Sequence, residues 1–115
     1  MALPPRHAFP EPINWYRNAL HELGHWTGHS SRLDRDQTGA FGSKAYAREE
    51  LVAEIASAFT CASLSIRPTV RHANYIGAWL ELLREDDRAL FRAASKASKA
   101  ADYLLGFLPE ADSGW

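Results

Sequence analysis

The chain has 115 residues, a formal net charge of −1, 46 % hydrophobic residues and four tryptophans. That size and apolar content describe one folded domain with a single core, and they exclude a disordered chain. Near-neutral charge removes any bulk attraction to nucleic acid or an anionic membrane, and no apolar run approaches the ~20 residues of a membrane span.

Residues 1–12 hold Pro4, Pro5, Pro10 and Pro12. Proline supplies no backbone donor, so 1–11 is expected to be an extended lead-in, or at most an edge strand. It lacks the apolar core of a secretion signal. Together with the lone Cys61, which leaves no internal disulfide, this makes the expected setting cytoplasmic.

Glu11-Pro12 has the chemistry of a helix start. From there Ile13, Trp15/Tyr16, Ala19/Leu20 and Leu23 recur at helical spacing up to Gly28. Residues 29–44 are a polar loop broken by Asp34, Asp36, Gly39 and Gly42. A second helix is predicted from Ser43–Ala45 to about Leu64, and a third from Arg71 to Leu83. The third would carry Tyr75, Ile76, Trp79, Leu80 and Leu83 on its apolar stripe. Asp86 or Asp87 would cap a fourth helix, Arg88 to about Phe107, ahead of a tail at 110–115. The expected fold is one mainly α domain over 1–115, about four helices with little or no strand.

The chemistry concentrates in His21-Glu22-Leu23-Gly24-His25 on the first helix. Positions i and i+4 share a helix face, so both imidazoles reach one metal ion, and Glu22 meets a water that the ion activates. Two histidines need a third ligand and an open position for catalysis. The second helix offers Glu50 and Glu54, again i and i+4, beside the small Ala53, Ser57 and Cys61 that permit close helix approach. Glu49 lies about 100° away from that face. We read Glu50 as the direct ligand and Glu54 as acceptor for the other ring N–H of a ligating histidine, with Glu54 as the alternative ligand. A further histidine at the spacing of the extended H-E-x-x-H-x-x-G-x-x-H pattern is missing, because position 31 is Ser31. Cys61 reads as a small buried apolar residue. A His₂Glu set suits zinc, and also accepts Mn, Co or Ni.

Three blocks together are similar to a known family: His21 through His29, Arg32-Leu33-Asp34-Arg35, and Tyr46 through Glu54. With His72, Tyr75-Ile76, Trp79-Leu80 and Lys99 to Tyr103 they resemble the zincin-like metallopeptidase domain of ArdC-type antirestriction and polyvalent proteins. The resemblance implies a zinc peptidase related to the gluzincins, acting on a protein or peptide. It makes His21, His25 and Glu50 the ligands of Zn²⁺ and Glu22 the acid/base. In that family the module follows a single-stranded-DNA-binding domain, whereas here the motif begins at residue 21, so DNA contact is expected only through a missing upstream domain.

An oxyanion donor besides zinc would come from Tyr75, His72 or His29. The rival reading is a non-catalytic, single-stranded-DNA-associated module with a structural zinc. Arg88, Arg92, Lys96 and Lys99 would then contact phosphates from one face of the fourth helix, though the acids at 85–87 and 102 favour a solvated face. Trp15 and Trp79 fit helix-core stripes.

Overall fold

The computed structural model describes residues 3–67 and 76–109. Their regular elements are a single 3₁₀ turn, Arg6–Ala8, and four α-helices: α1 Pro12–Trp26, α2 Lys44–Ser63, α3 Ile76–Glu85 and α4 Ala89–Leu105. No strand occurs among the described residues. The lead-in therefore curls where an extended segment was expected. It serves as a rest for Trp15, whose indole N–H donates to Pro4 O at 2.8 Å and whose ring lies under Arg6. Trp15 is thus no core residue, and Ile13 and Tyr16 on the same half of α1 are exposed.

Helix α2 is the axis of the fold, with α1, α3 and α4 all packed against it. Ser43 starts it, its hydroxyl accepting the Tyr46 N–H at 3.1 Å. One face carries Leu51, Val52 and Ala56 into a core with Trp79 and Leu82 of α3 and Ala89, Ala93, Ala97 and Ala100 of α4. Trp79 also donates its indole N–H to Ala47 O at 3.2 Å. On α3 Leu82 joins Trp79 inside, while Leu80 points to solvent.

The alanines of α4 recur every three or four residues, which makes a narrow ridge that brings its backbone close to α2. Arg88, Arg92, Lys96 and Lys99 each precede one of these alanines and are exposed, with Arg92 paired to Asp86. The start of α4 also differs from expectation. Arg88 occupies the cap position, and Asp86 acts two residues earlier by accepting the Arg88 N–H at 3.0 Å.

The opposite face of α2 meets α1 through small residues. A Cβ on Gly24 would stand 3.2 Å from the Ala53 Cα and 3.2 Å from its carbonyl oxygen, tight enough that α2 would have to give by a few tenths of an ångström. Glycine inside the histidine motif is what lets the two helices touch here. Helix α1 then ends at Trp26, because the Thr27 hydroxyl takes the Gly24 carbonyl at 2.6 Å and turns the chain. A Cβ on Gly28 would meet the ends of the Gln37 and Arg35 side chains that fold over the helix end, so both would have to shift.

Candidate metal centre

The contact between α1 and α2 places His21 and His25 over Glu50. His21 is 1 % exposed and its Nε2 lies 3.1 Å from Glu50 Oε2. The Nε2 of His25 lies 3.0 Å from the other oxygen, Oε1. One ligand atom from each of His21, His25 and Glu50 falls within 4.8 Å of the other two.

The outer nitrogens of both rings also face carboxylates. His21 Nδ1 is 3.2 Å from Glu54 Oε2, and His25 Nδ1 donates to Glu49 Oε2 at 2.9 Å. Glu49, Glu50 and Glu54 are all buried. Burial by itself would depress both histidines, but the neighbouring carboxylates outweigh it. Glu50 and Glu54 hold His21 above its usual range, and Glu49 and Glu50 hold His25 up at about 9. Burial likewise works to raise Glu50, and the two imidazoles reverse it, holding its carboxyl well below the usual range. The electrostatics that retain protons on these nitrogens favour any cation placed between them.

Glu49 is the member of the site that helical geometry alone misplaces. Helical period puts it on a different face from Glu50, yet the His25 ring engages both residues. The readable signal was the consecutive Glu49-Glu50 pair opposite two histidines one turn apart. Arg35 and Gln37, from the polar loop, have no comparable signal. Arg35 grips Glu49 with Nε and Nη2 at 2.9 and 3.0 Å, and the Gln37 amide donates to Glu49 Oε2 at 2.9 Å. Burial works to raise Glu49 too, and bonds from His25, Arg35 and Gln37 leave it lowered instead.

A cavity of about 260 Å³ opens beside this cluster, lined among others by Glu22, His25, Gln37, Gly39, Tyr46 and Glu50. Glu22 is half-buried on its wall and has no hydrogen-bond or ion-pair partner among the described residues. His29 is exposed, its Nδ1 accepting the Ser31 N–H at 3.1 Å, and it does not line this cavity. His72 and Tyr75 lie outside the described residues. Cys61 is buried and does not belong to the group of converging ligand atoms. No helix among the described residues is long and apolar enough to cross a membrane.

Comparison with known proteins places these features in context. The zincin-like metallopeptidase family MPTase-PolyVal matches residues 1–96. DNA primase TraC of Escherichia coli is 52 % identical over 106 residues, which is 91 % of this chain and 10 % of that protein. The uncharacterized protein y4eC of Sinorhizobium fredii is 50 % identical over 98 residues, covering 84 % of this chain and 32 % of its own length. The chain thus spans about a tenth to a third of these relatives. The crystal structure of the Mn(II)-bound antirestriction protein ArdC from the R388 plasmid superposes with a TM-score of 0.81 at 44 % identity. It covers 90 % of this chain and 39 % of that one. The metal-free ArdC structure gives 0.77 at the same identity.

Proposed function

This chain belongs to the zincin-like metallopeptidase family, and on that premise we propose that it hydrolyses peptide bonds with a divalent ion, zinc, held by His21, His25 and Glu50. The observation that carries the reading is the convergence of those three donors beside an open cavity that Glu22 lines. The charge of the surroundings fits a dication. With both imidazoles neutral, as ligands must be, three buried carboxylates face one buried guanidinium, Arg35, whose side chain is 6 % exposed, which leaves two negative charges for the ion. The Mn(II)-bound ArdC structure supports a divalent ion in a site of this family. A structural site is closed by four ligands, whereas this one has three among the described residues and faces open space, which suits catalysis.

Held by His21, His25 and Glu50, a divalent ion would supply a Lewis acid for a carbonyl and would lower the pKa of water toward ~7. The chain's own residues divide the remaining work. Glu49 takes the Nδ1 hydrogen of His25 and Glu54 stands 3.2 Å from the Nδ1 of His21, so both imidazoles present Nε2 as a lone-pair donor in a set orientation. Glu22, on the cavity wall, takes the proton of the attacking water and passes it to the departing amine. Relatives named for priming DNA and for antirestriction support a substrate met during transfer of mobile DNA.

The test is cleavage of a degenerate peptide mixture, followed by mass spectrometry, with zinc content measured on the same samples. Wild type is expected to cleave. Glu22→Gln is expected to retain zinc and to lose roughly 10²–10⁴-fold in rate. Undiminished cleavage by Glu22→Gln would remove Glu22 from the mechanism. Zinc retained by a wild type that cleaves nothing would leave an ion that only ties α1 to α2.

A further inference from the structure

We infer that Arg35 is a positioning residue that ties the wall of the cavity to the metal centre through Glu49. The inference rests on the metal reading above but not on peptide hydrolysis. A buried guanidinium in a polar loop calls for a physical reason, since burying its charge is costly unless its donors are satisfied. Here four bonds satisfy it. Nε and Nη2 clamp the two oxygens of Glu49, Nη2 also reaches Gly24 O at 2.7 Å, and Nη1 reaches Thr27 Oγ1 at 2.9 Å. Gln37 adds a second hold, donating its amide N–H groups to Glu49 Oε2 at 2.9 Å and to His25 O at 2.6 Å.

All of this converges on one atom. Glu49 Oε2 receives Arg35, Gln37 and the Nδ1–H of His25. The plane of the His25 ring is therefore set by where the loop holds Glu49. The loop in turn supplies Gln37 and Gly39 to the same cavity that His25 and Glu50 border. Loop and imidazole form one mechanical unit, and linkage makes their coupling reciprocal. An ion that fixes His25 Nε2 steadies the cavity wall, and a wall that comes away loosens His25.

The direction of the effect separates positioning from charge. If Arg35 acted only as a positive charge near the site, removing it would tighten a dication, because like charges repel. If it acts by holding Glu49, removing it loosens the ion. Losing the orientation of a ligating histidine typically costs about 10–100-fold in metal affinity.

The experiment is zinc titration of the full chain against a chromophoric chelator, paired with amide hydrogen exchange of residues 34–40 with and without zinc. In wild type, zinc should slow exchange in that segment. Arg35→Met should weaken zinc about tenfold and erase the effect of zinc on loop exchange. Arg35→Lys keeps the charge but loses the two-pronged grip, and should behave like Arg35→Met. Unchanged or tighter zinc in Arg35→Met, or wild-type behaviour in Arg35→Lys, overturns the inference. Should Arg35→Met not fold, Gln37→Ala removes only the second hold and must weaken zinc and loop protection in the same direction. No change there overturns the inference as well. A wild type that binds zinc while the variants match it defeats this inference alone. A wild type that binds no zinc defeats the metal reading and this inference together.

Discussion

Helix α2 has two buried faces made of different materials. Toward α3 and α4 it presents Leu51, Val52 and Ala56 to an apolar core closed by Trp79, Leu82 and the alanines of α4. Toward α1 and the loop it presents Glu49, Glu50 and Glu54, equally buried, to two histidines and an arginine. Apolar burial stabilises at about 25 cal/mol per Å². Burial of a carboxylate is unfavourable unless partners compensate it, and even a compensated buried pair contributes little to net stability. Stability therefore comes from one face of α2 and chemistry from the other. The mixed burial leaves α2 without the one-sided pattern of a surface helix.

This division can be broken from either side. The largest effect on stability is expected on the apolar face. Trp79→Ala should cost about 3–5 kcal/mol, seen as a lower midpoint in denaturant unfolding, while the molecules that remain folded keep their zinc. Loss of zinc in step with Trp79 would mean that the two faces are not separable.

On the polar face the metal is the readout. Glu50→Ala should remove stoichiometric zinc, and Glu54→Ala should weaken it by about 10–100-fold, both read by elemental analysis and chelator competition. The opposite pattern would keep the centre and make Glu54 the direct ligand.

The smallest effect is spread over pH. In the chelated protein His25 keeps its proton up to about 9, against 6.5 for an ordinary imidazole. Between those values the folded chain binds a proton that the unfolded chain has released. Its contribution to stability is thus complete below pH 6.5 and lost as pH rises through about 9. Zinc affinity should climb over the same interval, because the ion displaces that proton. A melting temperature that rises between these pH values in chelated protein would show that the His25 proton is not held.

The helices were readable along the chain because their signals are local. Glu11-Pro12 and Ser43 open α1 and α2 where their chemistry says they should, and the i, i+4 spacing placed His21 with His25 and Glu50 with Glu54. Errors occurred where an isolated helix was the wrong reference. Trp15 matches the apolar period of α1 but packs on the lead-in instead. Glu49 was set aside because it points about 100° from Glu50. A residue on a helix flank is still central when the facing helix and a crossing loop meet it there.

Helical period is a property of consecutive residues, so the sequence by itself determined the mainly α fold, the paired histidines and the small-residue seam that admits them. Only the tertiary structure decided that Arg35 and Gln37 reach Glu49, 14 and 12 residues away along the chain. An aperiodic loop carries no register to predict its path. Its position follows from the backbone space left by Gly28 and from the demand of a buried carboxylate for partners. Both of those arise only once α1 and α2 have come together.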